Sequence, residues 1–155
     1  MSDVFTKSKR SEVMSRIRGR GNKDTELVLA RILRSERIAG WRRHTALMGR
    51  PDFAFPRVRL AVFVDGCFWH GCPKHSTTPA NNRAFWMKKL NSNRTRDRVV
   101  NRGLKNAGWR VLRIWEHDLL EPAKVIARIR RALAMERPKL TPEVTSELPR
   151  RASAR

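Results

Sequence analysis

The spacing of apolar positions changes several times along the chain, and each change marks an element. Asp24-Thr25 is a helix start signal, and Glu26, Leu29, Ala30 and Leu33 then fall on one stripe at helical spacing. A helix is expected over 24–37, with Glu26 on the core side of its first turn. After Ala39-Gly40, the segment Trp41-Arg42-Arg43-His44-Thr45 predicts a strand. Asp52-Phe53-Ala54-Phe55 predicts a second, short strand ended by Pro56, and the run Leu60-Ala61-Val62-Phe63-Val64 predicts a third, buried one. The connection between these last two is short, so an antiparallel hairpin is expected. Hairpin geometry would then bring Asp52 and Val64 near each other, at the ends far from the turn.

Further on, Pro79-Ala80-Asn81-Asn82 opens a long helix over 83–106, stopped by Gly108. Its stripe of Trp86, Leu90, Asn93, Asp97, Val100 and Leu104 is only partly apolar. A strand over 109–116 and a helix over 122–135 complete the pattern. A strand–helix–strand crossover beside a hairpin predicts an α/β fold, a mixed sheet flanked by helices. One folded unit is expected over 24–135, preceded over 1–23 by a basic arm and followed over 136–155 by a tail whose prolines and scattered charges predict disorder. The arm, with a short helix over 11–17, reads as laid against phosphates; a solvated terminus is the alternative.

Composition sharpens the choice of partner. The 155 residues are 40% hydrophobic, enough for one domain with a sizeable core. The formal net charge is +21, from 35 Lys and Arg against 14 Asp and Glu, and the pI is near 11.7. A polyanion is the expected partner, most simply nucleic acid. No apolar run approaches the ~20 residues of a membrane span. The start, Met1-Ser2-Asp3-Val4-Phe5-Thr6-Lys7, lacks the apolar region of a secretory signal. Two cysteines in such a chain favour metal over disulfide, and a cytoplasmic location is expected.

Candidate chemistry concentrates in Val64-Asp65-Gly66-Cys67-Phe68-Trp69-His70-Gly71-Cys72-Pro73-Lys74-His75, the loop that follows the buried strand. Cys67, Cys72 and His75 offer three soft ligands, and His117, just past the last strand, is the candidate fourth. If the strands over 60–64 and 109–116 run parallel and adjacent, these four meet at their ends and form a closed structural zinc site. A pair of reduced loop cysteines is the alternative. Asp52 is a candidate Mg²⁺ ligand, with the backbone carbonyl of Val64 as a second hard oxygen. His70 is the imidazole left over, able to accept a proton from attacking water; an exposed loop histidine, or a zinc ligand exchanged for His75, is its plainer reading. Glu26 is either an acid favoured by the helix dipole or an acid at the rim of an active site. Phe68 and Trp69 sit among polar groups, where rings can wedge between base pairs, and Trp86 is a third aromatic candidate. Core packing is the ordinary fate of such rings, and Trp41, Trp109 and Trp115 are assigned to it.

Taken together, several short pieces resemble the very-short-patch repair endonucleases. They are Arg10-Ser11 with Met14 and Ile17, Glu26, Gly49-Arg50-Pro51-Asp52-Phe53, Gly66-Cys67-Phe68-Trp69-His70, Phe85-Trp86, Arg96-Asp97-Arg98, and Gly108 to Leu112 with Trp115-Glu116. The resemblance implies a restriction-endonuclease-like fold with a structural zinc. It implies Mg²⁺-dependent nicking of DNA 5′ of the thymine in a T:G mismatch, as a step of DNA repair. Asp52 would bind Mg²⁺, His70 would act as base, Glu26 would support the water network, and Phe68, Trp69 and Trp86 would intercalate beside the mismatch. The expected partners are mismatched duplex DNA, with repair factors and a cognate cytosine methyltransferase as further candidates, and the expected state is a monomer. The chain departs from the family's well-studied form at Val64, where that form has Thr, and at Asp65, where it has His. It departs again over 71–75, and at His117, where the terminal zinc ligand is Cys. A restriction-type nuclease indifferent to mismatches and a non-catalytic zinc DNA-binding protein are the competing readings.

Overall fold

The computed structural model describes residues 25–75, 78 and 80–135. The expected basic arm and the expected tail lie outside these residues. Within them the order is α1 (Glu26–Ser35), β1 (Phe53–Phe55), β2 (Leu60–Asp65), α2 (Arg83–Asn106), β3 (Arg110–Trp115) and α3 (Pro122–Ala134). Short 3-10 turns at Pro56–Val58 and Glu116–Leu120 join β1 to β2 and follow β3. Pro56 suits the first of these, since a turn's first residue needs no N–H donor. None of the described helices is long and apolar enough to cross a membrane.

The sheet is mixed, in the order β1-β2-β3. β1 and β2 form the expected antiparallel hairpin, with Phe53 opposite Val62 and Phe55 opposite Leu60. β2 and β3 run parallel, with Phe63 opposite Arg113 and Asp65 opposite Trp115. Alternation along the strands then sorts their side chains between two faces. Phe53, Phe55, Leu60, Val62 and Ile114 pack with Leu29 and Leu33 of α1 and Val125 and Ile129 of α3. On the opposite face Ala61 and Phe63 pack with Val100 and Leu104 of α2. The same alternation puts Asp52, Asp65 and Arg113 on the α2 side. This is why the polar groups of three strands share one face near the sheet's end.

The segment over 41–45 is not a strand. A single antiparallel bridge joins Arg42 to Ala54, with both N–H···O bonds at 2.8 Å. His44 adopts φ 55°, a left-handed conformation that no extended ladder accepts, so pairing stops after one residue. Trp41 still reaches the core margin, its ring edge-on to Phe53 at 5.4 Å. Trp109 packs beside the α2 face of the sheet. Trp115 instead stacks with the His117 ring, centroids 6.5 Å apart and 15° between planes.

Candidate active site and metal cluster

An open cleft of about 960 Å³ lies between the end of the sheet and α2, and its walls include Glu26, Asp52, Asp65, His70 and Asp97. Asp52 precedes β1, and its Oδ2 accepts the N–H of Val64 at 2.7 Å, the proximity expected from the hairpin. Burial pushes the Asp52 carboxyl up from 3.8 to about 6; the Val64 bond opposes this, and the charges of Glu26 and Asp65 add to it. The other three carboxylates each have a cation. Glu26, 3% exposed, accepts from Arg43 Nε at 2.6 Å and lies 3.9 Å from His44 Nε2. Asp65, 4% exposed, accepts both bonds of Arg113 Nη1, at 2.7 and 2.9 Å. Asp97 accepts from Arg113 Nη2 at 3.2 Å. Among the described residues no cation pairs with Asp52. A half-buried carboxylate in that position is the hard oxygen donor that a divalent cation would use.

His70 stands across the same cleft. Its Nδ1 is 2.7 Å from Asp97 Oδ2 and 3.7 Å from Asp65 Oδ1. A carboxylate on Nδ1 favours the Nδ1–H tautomer and leaves Nε2 as an acceptor. Asp52, His70 and Glu26 are thus gathered in one place, and His44, which sequence reasoning left without a role, joins them. Asp97 and Arg113 were missed as site residues. The available signal was polarity at positions whose spacing faces the core: Asp97 on the α2 stripe, and Arg113 in the middle of a mostly apolar strand.

Cys67, Cys72, His75 and His117 form a second cluster at the ends of β2 and β3. One ligand atom from each lies within 4.8 Å of all the others. His117 Nδ1 is 3.2 Å from Cys67 Sγ and 3.5 Å from Cys72 Sγ, and Cys72 Sγ is 3.8 Å from His75 Nδ1. The edges of a tetrahedron with sulfur and nitrogen ligands to zinc are about 3.3–3.8 Å, so the donor set fits such an ion. His117 Nε2 lies 3.4 Å from Asp118 Oδ1, the outer partner that metal-binding histidines commonly have. Glu116 Oε2 accepts the Cys67 N–H at 3.1 Å and fixes the loop's entry. Burial pushes the Cys67 thiol up, and the neighbouring Cys72 adds to it. Deprotonation of Cys67 is therefore easier with a cation present than without one.

Between the cysteines the loop is held by α2. Asn93 Nδ2 donates to the Trp69 carbonyl at 2.9 Å and Arg94 Nη2 to the Gly71 carbonyl at 3.2 Å, while Asp97 holds His70. The three aromatic candidates form one group: Phe68 is edge-on to Trp69 at 5.1 Å and to Trp86 at 5.3 Å. Trp86 is the buried member at 7% exposure, and its neighbour Phe85 is 52% exposed.

Residues 2–76 match the sequence model of a family described as DNA mismatch endonuclease Vsr. The chain is similar to the type II nicking enzyme V.NmeDIP of Neisseria meningitidis serogroup C, 34% identical over 134 residues, 84% of this chain and 90% of that protein. It is similar to the DNA mismatch endonuclease Vsr of Escherichia coli, 38% identical over 119 residues, 75% of this chain and 74% of that one. It is also 54% identical over 74 residues to the type II nicking enzyme V.NaeI of Lentzea aerocolonigenes, covering 48% of this chain and 45% of that enzyme.

Proposed function

Since the chain belongs to the Vsr family of DNA mismatch endonucleases, and is therefore a DNA endonuclease, we propose that it nicks one strand of duplex DNA 5′ of the thymine in a T:G mismatch. The observation that carries this reading is the gathering of Asp52, Glu26 and His70 around one open cleft, with no cation paired to Asp52 among the described residues. Asp52, together with the Val64 carbonyl, would hold Mg²⁺ there. A bound Mg²⁺ supplies charge that polarises the scissile phosphate and stabilises the departing oxygen. His70 accepts a proton from the attacking water at Nε2, while Asp97 holds its Nδ1–H. Glu26, fixed by Arg43, orders the water network at the cleft wall.

Phe68 and Trp69, backed by the buried ring of Trp86, provide the wedge that unstacks the duplex beside the mismatch. Zinc in the Cys67, Cys72, His75 and His117 cluster keeps the loop that carries Phe68, Trp69 and His70 in register with β2. The fold in this reading is restriction-endonuclease-like, and the chain acts as a cytoplasmic monomer in very short patch repair. Repair factors and a cognate cytosine methyltransferase are its candidate partners. The test is nicking of a T:G duplex and its T:A counterpart, each with Mg²⁺ and with chelator. A nick 5′ of the mismatched thymine, needing Mg²⁺ and absent from the matched duplex, is expected. Equal nicking of both duplexes would favour the restriction-type alternative. Asp52→Ala should abolish nicking and leave DNA binding in place; retained cutting would remove Asp52 from the mechanism.

A further inference from the structure

The proposed base has two carboxylates within reach and faces only one. His70 Nδ1 lies 2.7 Å from Asp97 Oδ2 and 3.7 Å from Asp65 Oδ1. What separates them is Arg113. This residue occupies the α2 face of β3, its guanidinium over the Phe63 ring with Cζ 4.5 Å from the centroid. Nη1 is committed to both oxygens of Asp65 at 2.7 and 2.9 Å. Nη2 donates to Asp97 Oδ1 at 3.2 Å, and Nε to Asn101 Oδ1 at 3.1 Å. Of the five N–H donors of a guanidinium, these contacts leave one. The group is planar, so its donors point in fixed directions, and the two acids are held by one rigid plate.

We propose that Arg113 is a positioning residue for strand cleavage: it takes up Asp65 and anchors Asp97, so that His70 faces a single carboxylate and its Nε2 points in one direction. A phosphate-binding role would need donors free to turn outward, and the bonds to Asp65, Asp97 and Asn101 leave Arg113 almost none. Without Arg113, two close carboxylates repel each other and both compete for the imidazole N–H. Misplacement of a catalytic group by about 1 Å can cost on the order of 10²-fold in rate. The proposal rests on the nicking reading above, and its test therefore includes a readout independent of cleavage.

The chemical step is measured by single-turnover nicking of a T:G duplex, for the wild-type chain and for Arg113→Met, Asp97→Ala and the double variant of the two. Arg113→Met is expected to slow the step by about 10²-fold, with duplex affinity and its salt dependence unchanged. Adding it to Asp97→Ala should cost little more, because both act through His70. Arg113→Met leaves Asp65 buried and unpaired, so Arg113→Met with Asp65→Leu is made beside it; this pair removes both charges and keeps the fold. In parallel, ¹⁵N NMR of the full chain without DNA should show His70 as one Nδ1–H tautomer in the wild type and as a mixture in Arg113→Met, moving back toward the single tautomer when Asp65→Leu removes the competing carboxylate. An unchanged rate, fully additive rate losses, affinity falling in step with rate, or an unchanged tautomer would each overturn the assignment. A wild-type chain inert on the mismatch would overturn the nicking reading instead, and the tautomer would still decide the role of Arg113.

Discussion

Asp52 is held where its charge is unwelcome. Burial, with Glu26 and Asp65 nearby, raises its pKa from 3.8 to about 6, so the folded chain holds this proton more tightly than the unfolded chain does. Stability from this group is present below about pH 4 and is lost as pH rises through about 6. Asp52→Asn keeps an acceptor for the Val64 N–H and discards the charge. Urea denaturation without divalent cations should find this variant more stable than wild type at pH 8, by about 1–3 kcal/mol. The gap should close by about pH 4, and nicking should be lost at every pH. A wild type as stable as the variant at pH 8 would contradict the strain. Such a trade of stability for activity is common at functional sites. Asp52 was legible because a four-residue connection fixes what lies at the ends of a hairpin. The clamp of Asp65, Arg113 and Asp97 was not, because it joins residues 48 and 16 positions apart through the register of a parallel pair, which no local pattern sets.

The element that organises the site is α2, together with the loop it grips. The loop from Gly66 to His75 is fastened at one side by the Cys and His cluster and at the other by Asn93, Arg94 and Asp97. These anchors predict separable failures. Gly71 sits at φ 64°, and a Cβ there would lie 2.4 Å from Arg94 Nη2. Arg94 is an exposed, flexible chain that can move aside, so Gly71→Ala should cost mainly the left-handed conformation, roughly 1–2 kcal/mol. Its metal content should stay intact while nicking slows. Removing the metal, by chelation or by Cys67→Ser, should instead lower the melting temperature and nicking together. Metal analysis beside thermal melts separates the two, and a chelated protein with an unchanged melt would refute a structural role for the metal. The stripe from Trp86 to Leu104 foretold α2 over its whole length, because a long period averages out local exceptions. The segment over 41–45 has the composition of a strand, yet the left-handed turn at His44 ends its pairing, and five residues offer no average to correct for that.

For the molecule as a whole, the +21 charge is a statement about DNA that leaves open which cations touch it. The structure divides them. Arg43 and Arg113 are spent on buried carboxylates, and Arg110 on the carbonyls of Val58 and Ala132; these belong to the fold. Arg50 and Arg96 line the cleft and are exposed, which is where a phosphate backbone must pass if Asp52 and His70 act on it. Each phosphate contact contributes about 0.9 to the slope of log affinity against log salt. Arg96→Ala should therefore weaken binding equally for matched and T:G duplexes and reduce that slope by about 1. Titrations of both duplexes between low and physiological salt would measure it. An unchanged slope would place the duplex away from this cleft, whereas a loss confined to the T:G duplex would make Arg96 a reader of the mismatch. The expected outcome separates two jobs that composition merges: arginines such as Arg43 and Arg113 hold buried carboxylates, and an exposed one such as Arg96 brings the duplex to the cleft.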